Sequence, residues 1–535
     1  HHRESYFRFM QEQLFAHIDL KPENIHLPDG TVPLDGVFAH CAAYEDAIRA
    51  AGGIDLQILG IGRTGHIGFN EPGSSRDSLT RLIPLDRVTR QDAAADFLGE
   101  SNVPRFAITM GVGTILRAKK LIMMAWGGNK AGIAARAIEG PETEAVSASF
   151  LQSHPDARCF LDRAASAALT RIRLPWLVGR AEWTPAETRR AVLWLALTEK
   201  KPVLKLRDEE YNEHGMAELL THYGNAYHLN IEVFNRQQQT ITGWPGGKPN
   251  ADDTSRPERA APFPKTVLVL APEPQDDVLG MGGTIERLVS QGHDVHVCYL
   301  TGGDLRITDA EAIRFARVLL ETSEQDPGRW KEQTEYAGGI LEEIEAKGPF
   351  GDPPARLRRL KASIRRGEAR DAAVSLGVKP SQIRFLDLPF YTEGRYRQFR
   401  LSPADITAIG SVLATLRPHQ IYVTGDLADP SSVQGMAFTA FKSAWQARAG
   451  QTWRDQCRVW LYRGHQSEYE PHEVQMAIPM SPDQLSHKLG AVQKFQSHTL
   501  PDLLGGGRNQ ETARVYDALG TAEYEAIEAF RSWQE

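Results

Sequence analysis

The sequence predicts an α/β protein of two Rossmann-like doubly wound domains, the first of them incomplete, joined by a mainly helical middle region and a Pro/Gly linker. Two observations predict it. Short, nearly continuous apolar runs recur with helix-like stretches between them, the pattern of buried parallel strands and their crossovers. Between two sets of such runs lies a stretch rich in proline, glycine and charge that fits neither pattern. The expected division is a first domain over residues 1–175, a helical region over 176–247, a linker over 248–263 and a last domain over 264–535.

The elements follow in order. Asp55–Gly62, Lys119–Trp126 and Ala157–Asp162 read as strands of the first domain, the first ending in glycines. Ligands of doubly wound sheets bind beyond the carboxyl ends of strands, so the loops after Gly62 and Trp126 carry the interest. Thr184-Pro185-Ala186-Glu187 is a helix start, with a threonine cap, proline in the first turn and a glutamate placed to cap back. That helix is expected to run through Val192, Leu193, Leu195 and Leu197 and to stop before Pro202. Strands of the last domain are expected within Lys265–Pro272, His293–Leu300, Gln382–Leu388, His419–Gly425 and Arg458–Arg463. Asp309–Glu368 reads as a charged helical insertion over one end of that sheet, and Arg356–Arg370 as a solvated helix face.

Composition narrows the function. The 61 Lys plus Arg and 68 Asp plus Glu leave a formal charge of −7, no footprint for nucleic acid or an anionic membrane. Cys41, Cys159, Cys298 and Cys457 lie far apart without a C-x-x-C pair and read as reduced thiols of a cytoplasmic protein. No apolar run approaches a membrane span. The text at His1 already reads as the middle of a domain, so a preceding segment is expected.

The first chemical constellation follows a strand directly: Gly60-Ile61-Gly62-Arg63-Thr64-Gly65-His66-Ile67-Gly68-Phe69-Asn70-Glu71-Pro72. Glycines let the backbone turn sharply and approach a ligand. His66 is the side chain best placed to exchange a proton near neutral pH, and a nearby carboxylate such as Glu71 would fix its tautomer. Spacing alone leaves a structural loop with an exposed histidine equally open.

The wider text, from GHIGFNEPGS through TRLIPLDRVTR, ITMGVGTIL and GGNKA to SASFLQSHP, resembles the glucosamine-6-phosphate deaminase family over roughly residues 1–175. The resemblance implies conversion of glucosamine 6-phosphate and water to fructose 6-phosphate and ammonia, with no metal or organic cofactor. It implies that His66 is the ring-opening histidine, that Glu71 belongs to its relay, and that Lys130 pairs with the substrate phosphate, with Gly62 and Gly65 of the loop lining the substrate. The family forms oligomers, so a homo-oligomer is expected. Departures are visible as well. Thr64 stands where the family carries an aspartate, which predicts a weaker base at His66. The family's phosphate arginine is missing from Ala94-Ala95-Asp96-Phe97. Ser74 and Arg81 match part of its effector site, but Ile83 replaces a lysine there. The glycine loop that cradles phosphate and the enolisation-base aspartate are expected upstream of His1, so residues 1–535 alone are not expected to be competent.

A second constellation, Ala271-Pro272-Glu273-Pro274-Gln275-Asp276-Asp277 with Met281-Gly282-Gly283-Thr284, resembles PIG-L/LmbE-type N-acetylglucosaminyl deacetylases over about 264–535. That family holds zinc with a histidine and the second aspartate of a His-Pro-Asp-Asp run plus a distant histidine. Glu273, Asp276 and Gln434 stand at those positions, and Gln275 at the position of the general base. A carboxamide has no proton affinity near neutrality, and glutamine is a poor zinc ligand. No metal is therefore expected, although Glu273 and Asp276 offer oxygens for a hard, weakly bound cation. His154-Pro155-Asp156-Ala157 mimics the deacetylase motif in letters but lies in the first domain, where it matches the text of the deaminase resemblance, and His419 and His472 read as structural histidines. Three functions remain open: an amino-sugar phosphate isomerase/deaminase, a non-catalytic sugar-phosphate sensor or scaffold, and a metal-dependent deacetylase.

Overall fold

A computed structural model describes residues 5–93, 103–326, 328–347, 353–393, 399–464, 468–497 and 507–534. The missing-arginine segment 94–97 lies outside the described residues. The chain folds as two compact units, His1–Gly179 and Arg180–Glu535. No described helix is long and apolar enough to cross a membrane.

The first unit is built on three parallel strands, β1 (Leu56–Gly60), β4 (Lys120–Ala125) and β5 (Ala157–Leu161), in the order β1-β4-β5. A separate antiparallel pair joins β2 (Arg81–Pro84) to β3 (Phe106–Thr109). Leu59, Leu121 and Met123 point into a core with Ile67, Ile115, Ile133 and Val146. The expectation of fully buried strands is corrected here. Leu56, Ile58 and Phe160 are exposed, because successive side chains of a strand face opposite ways and among the described residues one face of this sheet lies open.

The second unit carries seven strands: β6 (Thr266–Ala271), β7 (Asp294–Tyr299), β8 (Ile383–Phe385), β9 (Gln420–Thr424), β10 (Arg458–Tyr462), β11 (Met476–Met480) and β12 (Ala526–Trp533). Their order is β11-β12-β10-β9-β6-β7-β8. The five strands from β8 to β10 are parallel, and β12 and β11 close one side antiparallel. The parallel part runs outward from β6 in both directions, which is the doubly wound arrangement with its switch point between β6 and β9. Helices cover both faces, and two apolar cores result.

Thr184 caps the helix Pro185–Glu199 by accepting from the Glu187 amide at 3.2 Å, and proline fills the first turn. The helical region after it belongs to the second unit. Thr242 donates its amide to Ala477 in β11, whose own amide returns to Thr240, so the chain joins that edge of the sheet. Residues 248–263 are not a free tether. Thr242 donates to buried Glu258 at 2.8 Å, and Lys265 reaches back to the Pro262 carbonyl at 3.0 Å. A Pro/Gly composition without helix or strand period is compatible with a packed turn as well as with a spacer, and here side-chain hydrogen bonds decide.

Candidate active site

The loop after β1 brings Thr64, His66 and Glu71 into one triangle. The turn is held by the Gly65 amide to Gly62 and the Gly62 amide to the His66 carbonyl, both at 2.9 Å. Gly65 takes φ +88°, a left-handed conformation that suits glycine. At Gly62 the reason is proximity: the imidazole of His66 lies against its Cα, and a methyl group there would overlap the ring.

His66 Nδ1 is 3.0 Å from Glu71 Oε2 and 2.8 Å from Thr64 Oγ1, while Thr64 Oγ1 donates to the same Glu71 oxygen at 3.1 Å. Because the threonine proton goes to the carboxylate, Nδ1 is the nitrogen that must donate. That network assigns the neutral ring its proton on Nδ1 and leaves the Nε2 lone pair as the base. Glu71 is 5% exposed. Burial pushes its carboxyl up, but hydrogen bonds from His66 and Thr89, the His66 charge and the Asp86 amide outweigh that and hold it below its ordinary value. Its other oxygen accepts from Thr89 Oγ1 at 2.6 Å, on the helix Arg87–Ala93.

Lys130 ends the short turn Gly128–Lys130 after β4 and opens the helix Ala131–Glu139. Among the described residues its ammonium has no hydrogen-bond or ion-pair partner. Burial lowers its pKa, with Asp92 opposing and Arg63 adding to the shift. Sequence reasoning passed over Arg63 and Asp92, which form a bidentate pair with both N–O distances 2.9 Å. An arginine inside the glycine turn that carries His66 was the available signal. Arg81 donates to Ser74 Oγ at 2.8 Å and to Asn70 Oδ1 at 2.9 Å, so that cluster forms, with Ile83 beside it on β2.

At the switch point of the second unit, Glu273, Asp276 and Gln434 do come together, at 3%, 2% and 6% exposure. They do not fit a zinc ion or a hard cation. Gln434 turns its amide N–H group toward Glu273 Oε2 at 3.4 Å and Asp276 Oδ2 at 3.3 Å, a donor facing the place where a metal would need acceptors. Arg306 grips Glu273 at 2.8 and 3.1 Å, so a guanidinium already supplies the positive charge. Both Glu273 oxygens and Asp276 Oδ2 already accept from these donors. Gln275 sits at φ +104° with Arg365 donating to its side chain at 3.3 Å.

The charge run Arg356–Arg370 is corrected from a solvated face. Arg358, Lys361 and Arg365, spaced three and four apart, share one side of the helix Ala355–Ser375. They meet Asp304, Asp309 and the Pro274 carbonyl at 2.8, 2.6 and 2.6 Å, and Arg365 lies over the Phe495 ring. Buried acceptors on neighbouring elements, invisible in a charge count, turn that side inward. His419 accepts from the Thr266 amide and His154 from the Asp156 amide; His472 faces Arg190 at 3.3 Å.

The two units thus define an α/β protein with a histidine–carboxylate triangle in one half and, in the other, a doubly wound sheet with buried Glu273 paired to Arg306 at its switch point. Residues 1–159 match the family described as glucosamine-6-phosphate isomerases/6-phosphogluconolactonase, and residues 268–433 the family described as GlcNAc-PI de-N-acetylase. The chain is 43% identical over 545 residues to a glucosamine-6-phosphate deaminase-like protein of Bacteroides thetaiotaomicron, covering 98% of this chain and 81% of that one. It belongs to that family of glucosamine-6-phosphate deaminase-like proteins, in which the two halves are fused. The glucosamine-6-phosphate deaminase of Hahella chejuensis is 46% identical over 189 residues, covering 35% of this chain and 69% of that one. The chain spans about two thirds of the length of the curated deaminases it matches. A solved monomeric glucosamine-6-phosphate deaminase is 39% identical over 31% of this chain and 68% of its own, with a TM-score of 0.30.

Proposed function

We propose that the first unit opens the ring of glucosamine 6-phosphate in a deaminase reaction that yields fructose 6-phosphate and ammonia. The observation that carries this reading is the Nδ1 contact of His66 with Glu71 and Thr64, which frees Nε2 for proton transfer. Nε2 takes the proton of the anomeric hydroxyl and returns it to the ring oxygen as the C1–O5 bond breaks. Glu71 stabilises the imidazolium formed between those two transfers. Lys130 offers its half-buried ammonium to the substrate phosphate. Ring opening is the step that these residues account for.

We assign no de-N-acetylation to the second unit. Its general-base position is Gln275, and its metal position is taken by the Arg306 guanidinium on Glu273. The test is ammonia release from glucosamine 6-phosphate by the intact natural protein. Turnover that falls by a factor of roughly 10² or more in His66→Ala is the expected result. Sugar-phosphate binding without ammonia release would instead favour a sensor.

A further inference from the structure

We infer that Arg63 is a phosphate-binding residue of the first unit's site, and that the Asp92 carboxylate holds its guanidinium until a substrate phosphate takes the carboxylate's place. The inference rests on the reading of that site as one for a phosphorylated amino sugar.

Three observations converge. Arg63 lies in the same tight turn as His66, and its partner Asp92 sits on the helix whose Thr89 bonds Glu71, the carboxylate in contact with the imidazole. The Arg63 guanidinium donates from Nε to Asp92 Oδ2 at 2.9 Å and brings Nη2 within 2.9 Å of Oδ1, so two nitrogens face two oxygens of one anion, the side-on pairing arginine also uses on phosphate. Lys130 completes the group, since its ammonium feels the charges of both Arg63 and Asp92. Among the described residues, these two cations and one anion leave the group with one positive charge in excess.

The energetics favour exchange. Arg63 and Asp92 are 47% and 45% exposed, so their pair is screened by water and weakly held. A phosphate monoester carries about −1.5 to −2 charge and three strong acceptor oxygens near neutrality, against a single charge on the carboxylate. Replacing Asp92 by that group matches the two cations with a near dianion. Asp92 sits on the helix Arg87–Ala93, and Thr89 of the same helix stays on Glu71, so the exchange needs only the aspartate side chain to turn away.

The test uses the intact natural protein, with glucosamine 6-phosphate as substrate and inorganic phosphate as competing ligand. Arg63→Ala is expected to raise KM about tenfold or more, leave kcat within about twofold and weaken phosphate inhibition in parallel. Arg63→Lys is expected to restore part of the loss, and Asp92→Asn, which removes the competing anion, to lower KM about threefold. If the wild type turns over while Arg63→Ala keeps its KM and its phosphate inhibition, the inference is overturned and the proposed function stands. If the wild type releases no ammonia, the proposed function fails. Calorimetric binding of glucosamine 6-phosphate to the wild type and Arg63→Ala then decides the role of Arg63: weaker binding by the variant supports it, and equal binding overturns it.

Discussion

The carboxylate of Glu71 stands 3.0 Å from Nδ1 of His66, with the Thr64 hydroxyl wedged against both. Thr64 occupies the place of a family aspartate, yet the imidazole keeps an anion at hydrogen-bond distance through Glu71. Thr64 adds a hydroxyl and no charge to this triangle, so the counter-charge beside the ring comes from Glu71.

Removing that anion is expected to be nearly as costly as removing the ring. Glu71→Gln keeps the shape but not the charge, and ammonia release is expected to fall by a factor of roughly 10². Thr64→Asp adds a second carboxylate at Nδ1 and is expected to raise activity or to shift the acid limb of its pH profile upward, read from kcat/KM against pH. Unchanged activity in Glu71→Gln would remove Glu71 from the relay.

Gly62→Ala tests the packing of the ring. Its added methyl group overlaps the imidazole, so His66 must leave its position. Activity is expected to fall about as far as in His66→Ala, while the thermal unfolding midpoint moves little, since the clash is with one side chain at a partly open site.

The second unit is expected to purify with substoichiometric zinc, and a chelator is expected to leave its melting temperature unchanged. Arg306→Met strips the charge partner from buried Glu273 and is expected to destabilise the protein by about 3 kcal/mol. Adding Glu273→Leu to that variant is expected to recover most of the loss. Stoichiometric zinc by elemental analysis would reverse this account of the site.

His293 supplies a pH test of stability. It accepts from the Lys265 amide at 3.0 Å and its ring lies against Gly246. Burial, with the Lys265 charge adding to it, lowers its pKa from 6.5 to about 4. The unfolded chain takes up a proton at this group near pH 6.5 and the folded chain only near 4, so stability is lost as pH falls through that window. Denaturation midpoints between pH 7.5 and 4 are expected to fall less steeply in His293→Gln. An identical slope would discard the claim.

Much of this protein is legible in its residue order. The strand at Thr266–Ala271 shows as an apolar run because burial between helices removes polar positions from it, and Leu56–Gly60 shows as a run too, although among the described residues its outer face is open. The helix start at Thr184 shows because capping is settled within four residues. His66 and Glu71 show because a single turn holds them five residues apart. The loss of a good metal ligand at Gln434 shows from residue type alone.

What the order of residues determined by itself is therefore local: strands, caps, the glycine turn and the chemistry of each side chain. What only the tertiary structure decided is which distant charges meet. Arg63 finds Asp92 across 29 positions, Arg306 finds Glu273 across 33, and Arg365 finds the Pro274 carbonyl across 91. A charged side chain carries no mark of its partner. Whether it is solvated, locked or poised for a ligand depends on the buried groups that folding sets beside it, because charge removed from water must be matched wherever it comes to rest.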